Sequence, residues 1–341
     1  MAAEEDKGIE KQREVQMIPD YVHGCIAPVF TAFHEDGRLD DEGQRTILDY
    51  IVETEAVSAF FVRCGLGKMY TFSYEDVEQI ARTACEHLAD RAPVLVGTTG
   101  IWDRNRDRLP DPEVFVQQAV ELSQYAEGLG AAAVVHTLPE AIAPKPKETC
   151  AHVVMRYFET ICAAVNIPVF IYQPPGTDER YGVTVDLVRK LADIPNLKGM
   201  KLSTSNAEYI LDITWAVAGK DFGFIVGAET AFLAGLVSGG RAVIGQGATL
   251  NPQILKAIQD RYEAGDITGA IEAQRSTNLL VQECPGSQEF LKRHLAEKGR
   301  KVKPFSRTGT SAPYGADSKP MAQAEYERFK RLFESELAKY V

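Results

Sequence analysis

The sequence lacks the features that define several classes of protein. Its 341 residues contain no apolar run near the roughly 20 residues that span a bilayer, and no tract of consecutive basic residues. The six cysteines are scattered without a CxxC pair, and the six histidines form no HExxH or HxH pattern. These absences argue against a membrane protein, a nucleic-acid-binding protein, a disulfide-rich secreted domain and a zinc site.

The charge balance and the N-terminal residues favour a cytoplasmic protein. Lys and Arg number 37 against 48 Asp and Glu, so the net charge is −11, which suits neither phosphate backbones nor anionic membranes. Residues 1–20 form a charged leader without the apolar segment of a signal peptide. Cys150 and His152 come closest to a metal-ligand pair, but they lie at a predicted helix start, and we interpret them as a structural thiol and a solvated imidazole. We therefore expect no metal, no membrane partner and no nucleic-acid partner.

Short apolar runs alternate with longer amphipathic stretches along most of the chain. Eight runs are apolar on both faces, as strands of a parallel sheet covered by helices are: Cys25–Phe30, Ala59–Val62, Pro93–Val96, Ala132–Val135, Pro168–Tyr172, Leu197–Lys201, Phe224–Val226 and Ala242–Ile244. Eight strands, each followed by a helix, predict a (β/α)8 TIM barrel over residues 21–250. The alternative, a doubly wound open sheet, would carry a GxGxxG motif after its first strand, and none follows Cys25–Phe30.

The residues after the eighth strand are too many for one closing helix. Four helical patterns and a Gly/Ser/Pro-rich linker at Ser306–Lys319 predict a helical C-terminal extension over residues 251–341. The stretch Ile101–Pro110, rich in Arg and Asp, reads as an insertion after the third strand. In a barrel of this type, the loops that follow the strands carry the active site.

Two side chains at the ends of neighbouring strands could carry chemistry. Lys201 ends the sixth apolar run and Tyr172 ends the fifth, so in a barrel they can meet at the mouth. A lysine attacks a carbonyl only as the neutral amine, and burial in an apolar barrel can lower its pKa toward neutrality. A phenol beside it could transfer protons to the resulting carbinolamine. For each residue taken alone, the pattern favours the simpler interpretation, a solvated lysine and a packing aromatic whose hydroxyl is anchored in a loop.

Taken together in this order, these residues resemble a known family. The motifs that carry the resemblance are Gly24–Thr31 on the first strand, the glycine-rich turn after the second, Ile171-Tyr172 before two prolines, Gly199-Met200-Lys201, Gly227–Thr230 and Gly239–Gly245. Over roughly Gly24 to Glu297, the chain resembles the dihydrodipicolinate synthase / N-acetylneuraminate lyase family of Schiff-base-forming (β/α)8 aldolases.

The resemblance implies a mechanism and an assembly. It implies that Lys201 forms a Schiff base with a 2-oxo acid, pyruvate or a pyruvate-derived compound, and that Tyr172 is the proton-transfer partner. It implies no metal and no organic cofactor. Because members of the family are commonly tetramers or dimers of dimers, it also implies a homo-oligomer.

The turn after the second strand departs from the family pattern. The family has Gly-Thr/Ser-Thr-Gly-Glu there, whose hydroxyls and amides bind the substrate carboxylate, whereas this chain has Cys64-Gly65-Leu66-Gly67-Lys68. The amides of Gly65 and Leu66 could still bind an anion. Arg63 or Arg180 could supply the charge, because a guanidinium binds a carboxylate through two hydrogen bonds.

Other substrate contacts follow from the same resemblance. The family's synthases carry a tyrosine after the fourth strand, where this chain has His136-Thr-Leu-Pro139, so His136 is a candidate second acid/base, and a structural histidine is the alternative. Glu229 and Thr230 match positions that contact distal hydroxyls in the lyases, and Ile244 lies in the matching motif on the last strand. We expect Glu229, Thr230 and Ile244 to bind the substrate.

These observations predict a cofactor-independent lyase or aldolase that acts on a 2-oxo acid, and not a true dihydrodipicolinate synthase. Dehydration or deamination would use the same imine, so both stay open as alternatives. A phosphate-binding barrel isomerase or synthase using Ser238–Gly240 and Gly245–Gly247 is a rival, and so is a non-catalytic ligand-binding member of the family.

Overall fold

A computed structural model describes residues 17–307 and 320–341, and its centre is a closed barrel of eight parallel strands. The strands are β1 (Gly24–Pro28), β2 (Ala59–Val62), β3 (Val94–Gly97), β4 (Ala133–Thr137), β5 (Val169–Gln173), β6 (Leu197–Leu202), β7 (Gly223–Val226) and β8 (Ala242–Val243). Each strand pairs with the next in the chain, and β8 pairs with β1. The predicted TIM barrel is confirmed, and each of the eight apolar runs overlaps one strand.

Helices cover the outside of the barrel. Those that follow the first seven strands are α1 (Asp41–Val52), α2 (Tyr74–Leu88), α3 (Pro112–Gly128), α4 (Cys150–Ala164), α5 (Val185–Leu191), α6 (Ala207–Ala216) and α7 (Phe232–Val237). Most begin at side chains suited to cap a helix: Ser73, for example, accepts a hydrogen bond from the Asp76 amide in a capping box. Such local signals determine where most of these helices begin.

The interior of the barrel is a separate apolar cluster. Fourteen buried side chains form it: Val22, Ile26, Ala59, Phe61, Cys64, Met69, Leu95, Ala133, Val135, Phe170, Tyr172, Ile225, Ala242 and Ile244. Side chains of the opposite parity on the same strands pack outward against the helices, in the larger core. The direction of a strand residue therefore decides whether it reaches the mouth of the barrel or lies beneath the helices.

One glycine permits the close pairing that places Lys201. A Cβ on Gly199 would come 2.2 Å from the carbonyl oxygen of Gly223, so only glycine allows β6 and β7 to approach at this point. The same strand then presents Lys201 two residues later, next to Ile225 on β7.

Past β8, the described part of the chain forms five helices. They are α8 (Gly247–Leu250), α9 (Pro252–Glu263), α10 (Ile267–Glu283), α11 (Ser287–Glu297) and α12 (Gln323–Leu337). Helix α9 packs against β1 and so completes the ring of helices around the barrel, whereas the division predicted at residue 250 assigned it to the extension. Helices α10, α11 and α12 form the helical extension, which packs through Phe290, Phe329 and Phe333.

Two of the predicted segments fall largely outside the described residues. These are residues 1–16 of the charged leader and residues 308–319 of the linker. The predicted insertion Ile101–Pro110 is a loop without helix or strand between β3 and α3. Within the described residues, no helix combines the length and apolarity needed to cross a membrane.

Candidate active site

Lys201 and Tyr172 lie side by side at the mouth of the barrel. They are register partners on β6 and β5, and the Lys201 Nζ stands 4.1 Å from the centre of the Tyr172 ring. Both residues are buried, at 4% and 1% exposure. The Tyr172 ring packs edge-on against Phe61 of the interior cluster, which holds it in place beneath the amine. This arrangement joins an amine and a phenol in an apolar surrounding.

The surroundings of Lys201 bring its amine toward neutrality. Burial lowers the pKa of Lys201 to about 8, while Cys64 and Glu229 act in the opposite direction. At pH 7 about a tenth of such a lysine is the neutral amine, against about one in 3,000 at the ordinary pKa. The site therefore provides a population of the nucleophilic form without another base.

Glu229 is the buried carboxyl group that faces this charge. Its Oε2 accepts a hydrogen bond of 2.6 Å from the Gly247 amide and lies where a Cβ on Gly245 would stand. Burial raises the pKa of Glu229 to about 7, and the Gly247 amide and Lys201 oppose that rise. Glu229 thus acts on Lys201 as a counter-charge held against the β8–α8 turn. Its predicted contact with the substrate stays a prediction.

The pH dependence of imine formation should report on this pair. Because only the neutral amine attacks, kcat/KM should rise with pH and level off above an inflection near pH 8. Glu229→Gln keeps an acceptor for the Gly247 amide but removes the negative charge, so the inflection should move to lower pH. Initial rates with a 2-oxo acid between pH 6 and 10 measure both values. An inflection near pH 10 in the parent protein would indicate a solvated lysine.

The turn after β2 is built around a thiol. The Gly67 amide lies 3.2 Å from the Cys64 Sγ, and the thiol lies 3.5 Å from the carbonyl oxygen of Val29. Burial raises the pKa of Cys64 to about 11, so the group is a thiol at neutral pH, although Lys201 and the turn amides favour the thiolate. The carbonyl oxygen of Leu66 accepts a hydrogen bond from Gln288 on α11. The C-terminal extension therefore helps to hold the turn that contains Gly65 and Leu66.

Arg63 completes the edge of the sheet where β2 ends. Its Nη1 donates to the carbonyl oxygens of Gly97, at 3.1 Å, and Thr99. In the same pair of strands, the Phe60 amide donates to the carbonyl oxygen of Pro93. Because carbonyl groups alternate in direction along a strand, that of Gly97 also points toward β2. The backbone of Arg63 has φ +48°, and burial lowers the pKa of its guanidinium to about 10. Arg63 thus caps the end of β3 and brings a buried positive charge beside the turn.

Arg180 and Thr230 lie on the surface of the mouth loops. The Arg180 guanidinium is 73% exposed and forms a double hydrogen bond with Asp178, two residues away. Thr230 is exposed on the short turn before α7. Their exposure separates both side chains from the buried Lys201 and Tyr172, whereas Ile244 lies in the interior cluster with Tyr172.

The position of His136 corrects the interpretation of this residue as a second acid/base. Its ring points away from the mouth, under α3 and α4, where Nδ1 lies 2.8 Å from the Tyr157 hydroxyl. Nε2 lies 2.9 Å from the Thr98 hydroxyl and 3.0 Å from that of Ser123. Burial, with a smaller contribution from Arg63, lowers the pKa of His136 to about 3. A neutral, fully buried imidazole on the helix side of β4 is structural and cannot reach a substrate at Lys201.

The structure also brings residues to the mouth that the sequence analysis did not select. Ser203 follows Lys201 by two positions, and its buried Oγ has no hydrogen-bond partner among the described residues. The alternation of a strand could have identified it. Tyr70, after β2, packs against the interior cluster, and Arg104 of the insertion lies over its ring, 5.5 Å from the ring centre. No sequence signal connects these last two residues.

Comparison with known proteins agrees with this fold. The profile of the dihydrodipicolinate synthetase family matches residues 21–308. The chain belongs to this family. The family's members are lyases of the aldolase type, and the protein is such a lyase.

Several relatives show how far the similarity extends. A 4-hydroxy-tetrahydrodipicolinate synthase of Nitrosospira multiformis is 30% identical over 254 residues, which cover 74% of this chain and 78% of the relative. The putative 2-dehydro-3-deoxy-D-gluconate aldolase YagE of Escherichia coli K12 is 28% identical over 250 residues, or 72% and 76% of the two chains. Relatives of differing activity therefore match this chain at comparable identity.

Solved structures share the fold. The crystal structure of Escherichia coli YagE in complex with pyruvate superposes with a TM-score of 0.74 at 24% identity, covering 94% of this chain and 99% of that one. The N-acetylneuraminate lyase of Mycoplasma synoviae superposes with a TM-score of 0.72 at 22% identity, with the same coverage. In the part of the chain that the structure describes, no group of three or more His, Cys, Asp or Glu side chains is arranged to hold a metal ion.

Proposed function

We propose that the protein cleaves a 2-oxo acid through an imine at Lys201, with Tyr172 as the acid/base. The observation that carries this proposal is the buried Lys201 amine, 4.1 Å from the Tyr172 ring centre, at the mouth of a barrel of this family. Pyruvate is bound in the YagE structure, which supports a 2-oxo acid as the ligand class. The proposed chemistry needs no metal or organic cofactor.

The reaction follows from the chemistry of an iminium ion. The neutral Lys201 amine adds to the C2 carbonyl, and the carbinolamine loses its hydroxyl as water when Tyr172 supplies a proton. The Tyr172 phenolate then removes the proton of the C4 hydroxyl, and the iminium accepts the electron pair of the breaking C3–C4 bond. An aldehyde departs and an enamine remains. Protonation at C3 and addition of water release pyruvate and restore the amine.

The substrate carboxylate requires a positively charged neighbourhood. We infer that it binds at the turn that holds Gly65 and Leu66, next to the buried charge of Arg63. Lys68, which is also buried, adds a second cation where the family pattern has a glutamate. Two buried cations beside this turn, in a chain of net charge −11, favour binding of an anionic substrate there.

The same turn argues against synthase activity. In the family's synthases, turn hydroxyls and two tyrosines form the relay for protons, but here the turn offers Gly65 and Leu66. After β4 the chain has Leu138 and Pro139. Leu138 is buried, and its amide donates a hydrogen bond to the carbonyl oxygen of Tyr172. Without those hydroxyls, we infer that condensation of pyruvate with aspartate semialdehyde is negligible.

A polar substrate tail fits the rest of the mouth. The Ser203 hydroxyl lies two positions beyond Lys201 on the strand, and Thr137 and Thr99 are buried beside each other at the ends of β4 and β3. The compounds in the names of two relatives, 2-dehydro-3-deoxy-D-gluconate for YagE and N-acetylneuraminate for the lyase, are hydroxylated 2-oxo acids and support this class. We infer a hydroxylated 2-oxo acid as the substrate class.

A substrate panel tests the function. Purified protein incubated with hydroxylated 2-oxo acids should release pyruvate, detected with a coupled dehydrogenase, while pyruvate with aspartate semialdehyde should give no product. Lys201→Arg is the matched control for background release. Consumption of substrate without release of pyruvate would indicate dehydration or deamination instead of cleavage. Robust condensation with aspartate semialdehyde would contradict our reading of the turn.

We still expect the protein to be cytoplasmic and to form a homo-oligomer. Leu211 and Trp215 lie one turn apart on α6 and are 48% and 76% exposed, and Val237 on the neighbouring α7 is 68% exposed. Exposed apolar side chains on adjacent helices are suited to contact between subunits.

A further inference from the structure

A buried ion pair connects three loops at the mouth of the barrel. Nε and Nη2 of Arg104, in the loop after β3, donate to the Glu140 Oε2 at 3.3 and 3.0 Å. Glu140 belongs to the loop after β4, and both side chains are 4% exposed. Arg106 donates to the other carboxylate oxygen at 2.7 Å. We call Arg104, Arg106 and Glu140 the loop clasp.

The loop clasp holds the segment that directly follows Tyr172. Arg104 Nη1 donates to the carbonyl oxygen of Pro175 at 2.9 Å, and Arg106 Nη2 donates to that of Gly176 at 2.6 Å. The Asp178 amide donates to the Glu140 Oε1 at 2.5 Å. The Glu140 carboxylate therefore accepts four hydrogen bonds. The backbone after β5 is held both through two of its carbonyl oxygens and through one of its amides.

The clasp also reaches the turn after β2. The Arg104 guanidinium lies over the ring of Tyr70, 5.5 Å from its centre, and Tyr70 packs against the interior cluster that contains Tyr172. Loops after β2, β3, β4 and β5 are thus connected through one guanidinium and one carboxylate, around the position where a substrate would meet Lys201.

The physical chemistry of the pair argues against stability as its purpose. A buried ion pair is often neutral or unfavourable relative to apolar side chains of similar volume, because both charges lose their hydration. Arg104 also has φ +63°, in the left-handed region that non-glycine residues seldom adopt. Strained residues of this kind concentrate where geometry serves function. Unlike apolar packing, hydrogen bonds between charged groups fix the orientation of the side chains and backbone groups that they join.

We propose that Arg104 and Glu140 are positioning residues that hold the Pro175–Asp178 segment so that Tyr172 meets its proton-transfer partner at Lys201. The proposal rests on the proposed function, since it concerns the proton transfer that accompanies imine formation. A displacement of about 1 Å in a reacting group can lower a rate by about 10²-fold. Loss of the clasp should therefore slow imine formation by up to about 10²-fold while the barrel stays folded.

The test separates positioning from stability. Arg104→Met alone leaves the buried Glu140 carboxylate with the half-exposed Arg106 as its remaining ion-pair partner, and is expected to lower the melting temperature. The double variant Arg104→Met/Glu140→Met removes both charges and should restore much of the melting temperature, yet its rate of trapping with pyruvate and borohydride should stay reduced. Recovery of the parent rate together with stability would overturn the proposal.

A second arm asks whether the clasp acts through Tyr172. In a Tyr172→Phe background, the same double substitution should cause little further loss of trapping rate, because the group being positioned is already absent. Losses that multiply would overturn the proposal, since the clasp would then act independently of Tyr172. A single-turnover rate from intact mass gives all four values of the cycle.

Two controls complete the design. Lys198 and Asp221 form an ion pair of 2.5 Å at the start of β6, the opposite end of the strand that carries Lys201. Lys198→Met/Asp221→Met should leave the trapping rate unchanged, and an equal loss there would overturn the proposal by showing a general effect. Absence of any adduct in the parent protein would overturn the proposed function itself, and the clasp proposal with it. A trapped parent whose rate does not respond to the clasp variants overturns the clasp alone.

Discussion

Incubation of the protein with pyruvate and borohydride is expected to add one reduced adduct per chain, at Lys201. Reduction of the imine fixes the C2 carbon of pyruvate to Nζ, so intact mass and peptide mapping report both the extent and the position of labelling. Lys201→Arg keeps a positive charge at the mouth but cannot form the imine. This substitution should abolish the adduct and lower turnover by about 10⁴-fold or more.

Lys292 makes this experiment discriminating. It is fully buried on α11, where burial, with Lys68 nearby, lowers its pKa to about 7. Its amine therefore loses its proton at least as readily as that of Lys201. However, its Nζ donates to the Phe305 carbonyl at 2.6 Å and lies over Phe33, away from the barrel interior. Label on Lys292, or no label with any 2-oxo acid tested, would exclude the mechanism at Lys201.

Replacement of Tyr172 by phenylalanine should lower turnover by about 10²- to 10⁴-fold, the range of a positioned acid/base. Phenylalanine keeps the ring beneath the Lys201 amine and its contact with Phe61, so we expect the fold and melting temperature to persist. The measured loss therefore reports on the hydroxyl. Steady-state kinetics with the cleaved substrate, together with the melting curve, provide the measurement.

A second buried phenol is the matched control for Tyr172. The Tyr181 hydroxyl donates to the carbonyl oxygen of Ile142 at 2.7 Å, outside the barrel interior. Tyr181→Phe removes one hydrogen bond and should lower the free energy of unfolding by about 1 kcal/mol, but it should leave turnover near the parent value. If Tyr172→Phe behaved in the same way, Tyr172 would be a packing residue only.

The pairing of Lys201 with Tyr172 could be predicted because it follows from chain order. In a barrel whose strands pair in sequence order, residues at the ends of β5 and β6 are neighbours by construction. The reduced pKa of Lys201 could be anticipated only as a possibility, since burial by the surrounding strands decides it. Ser203 could have been selected by the same alternation that directs Lys201 inward.

His136 shows where the sequence pattern loses its meaning. A strand buried on both faces is apolar throughout, so its composition does not say which side chains face the barrel and which face the helices. The partners that decided the direction of His136, Tyr157 on α4 and Ser123 on α3, become neighbours only when the helices dock. The interpretation as a catalytic residue failed for that reason.

The sequence by itself determined the number and order of strands, the helix starts and the lysine at the end of β6, because apolar runs, capping residues and chain order are local properties. The tertiary structure decided the direction of His136, the cap that Arg63 places on β3 and the meeting of Arg104 with Glu140. Those two side chains are 36 residues apart, in loops without periodicity, and only closure of the barrel brings them together. Pairing between loops depends on the positions of the strands that carry them, and no local pattern encodes those positions.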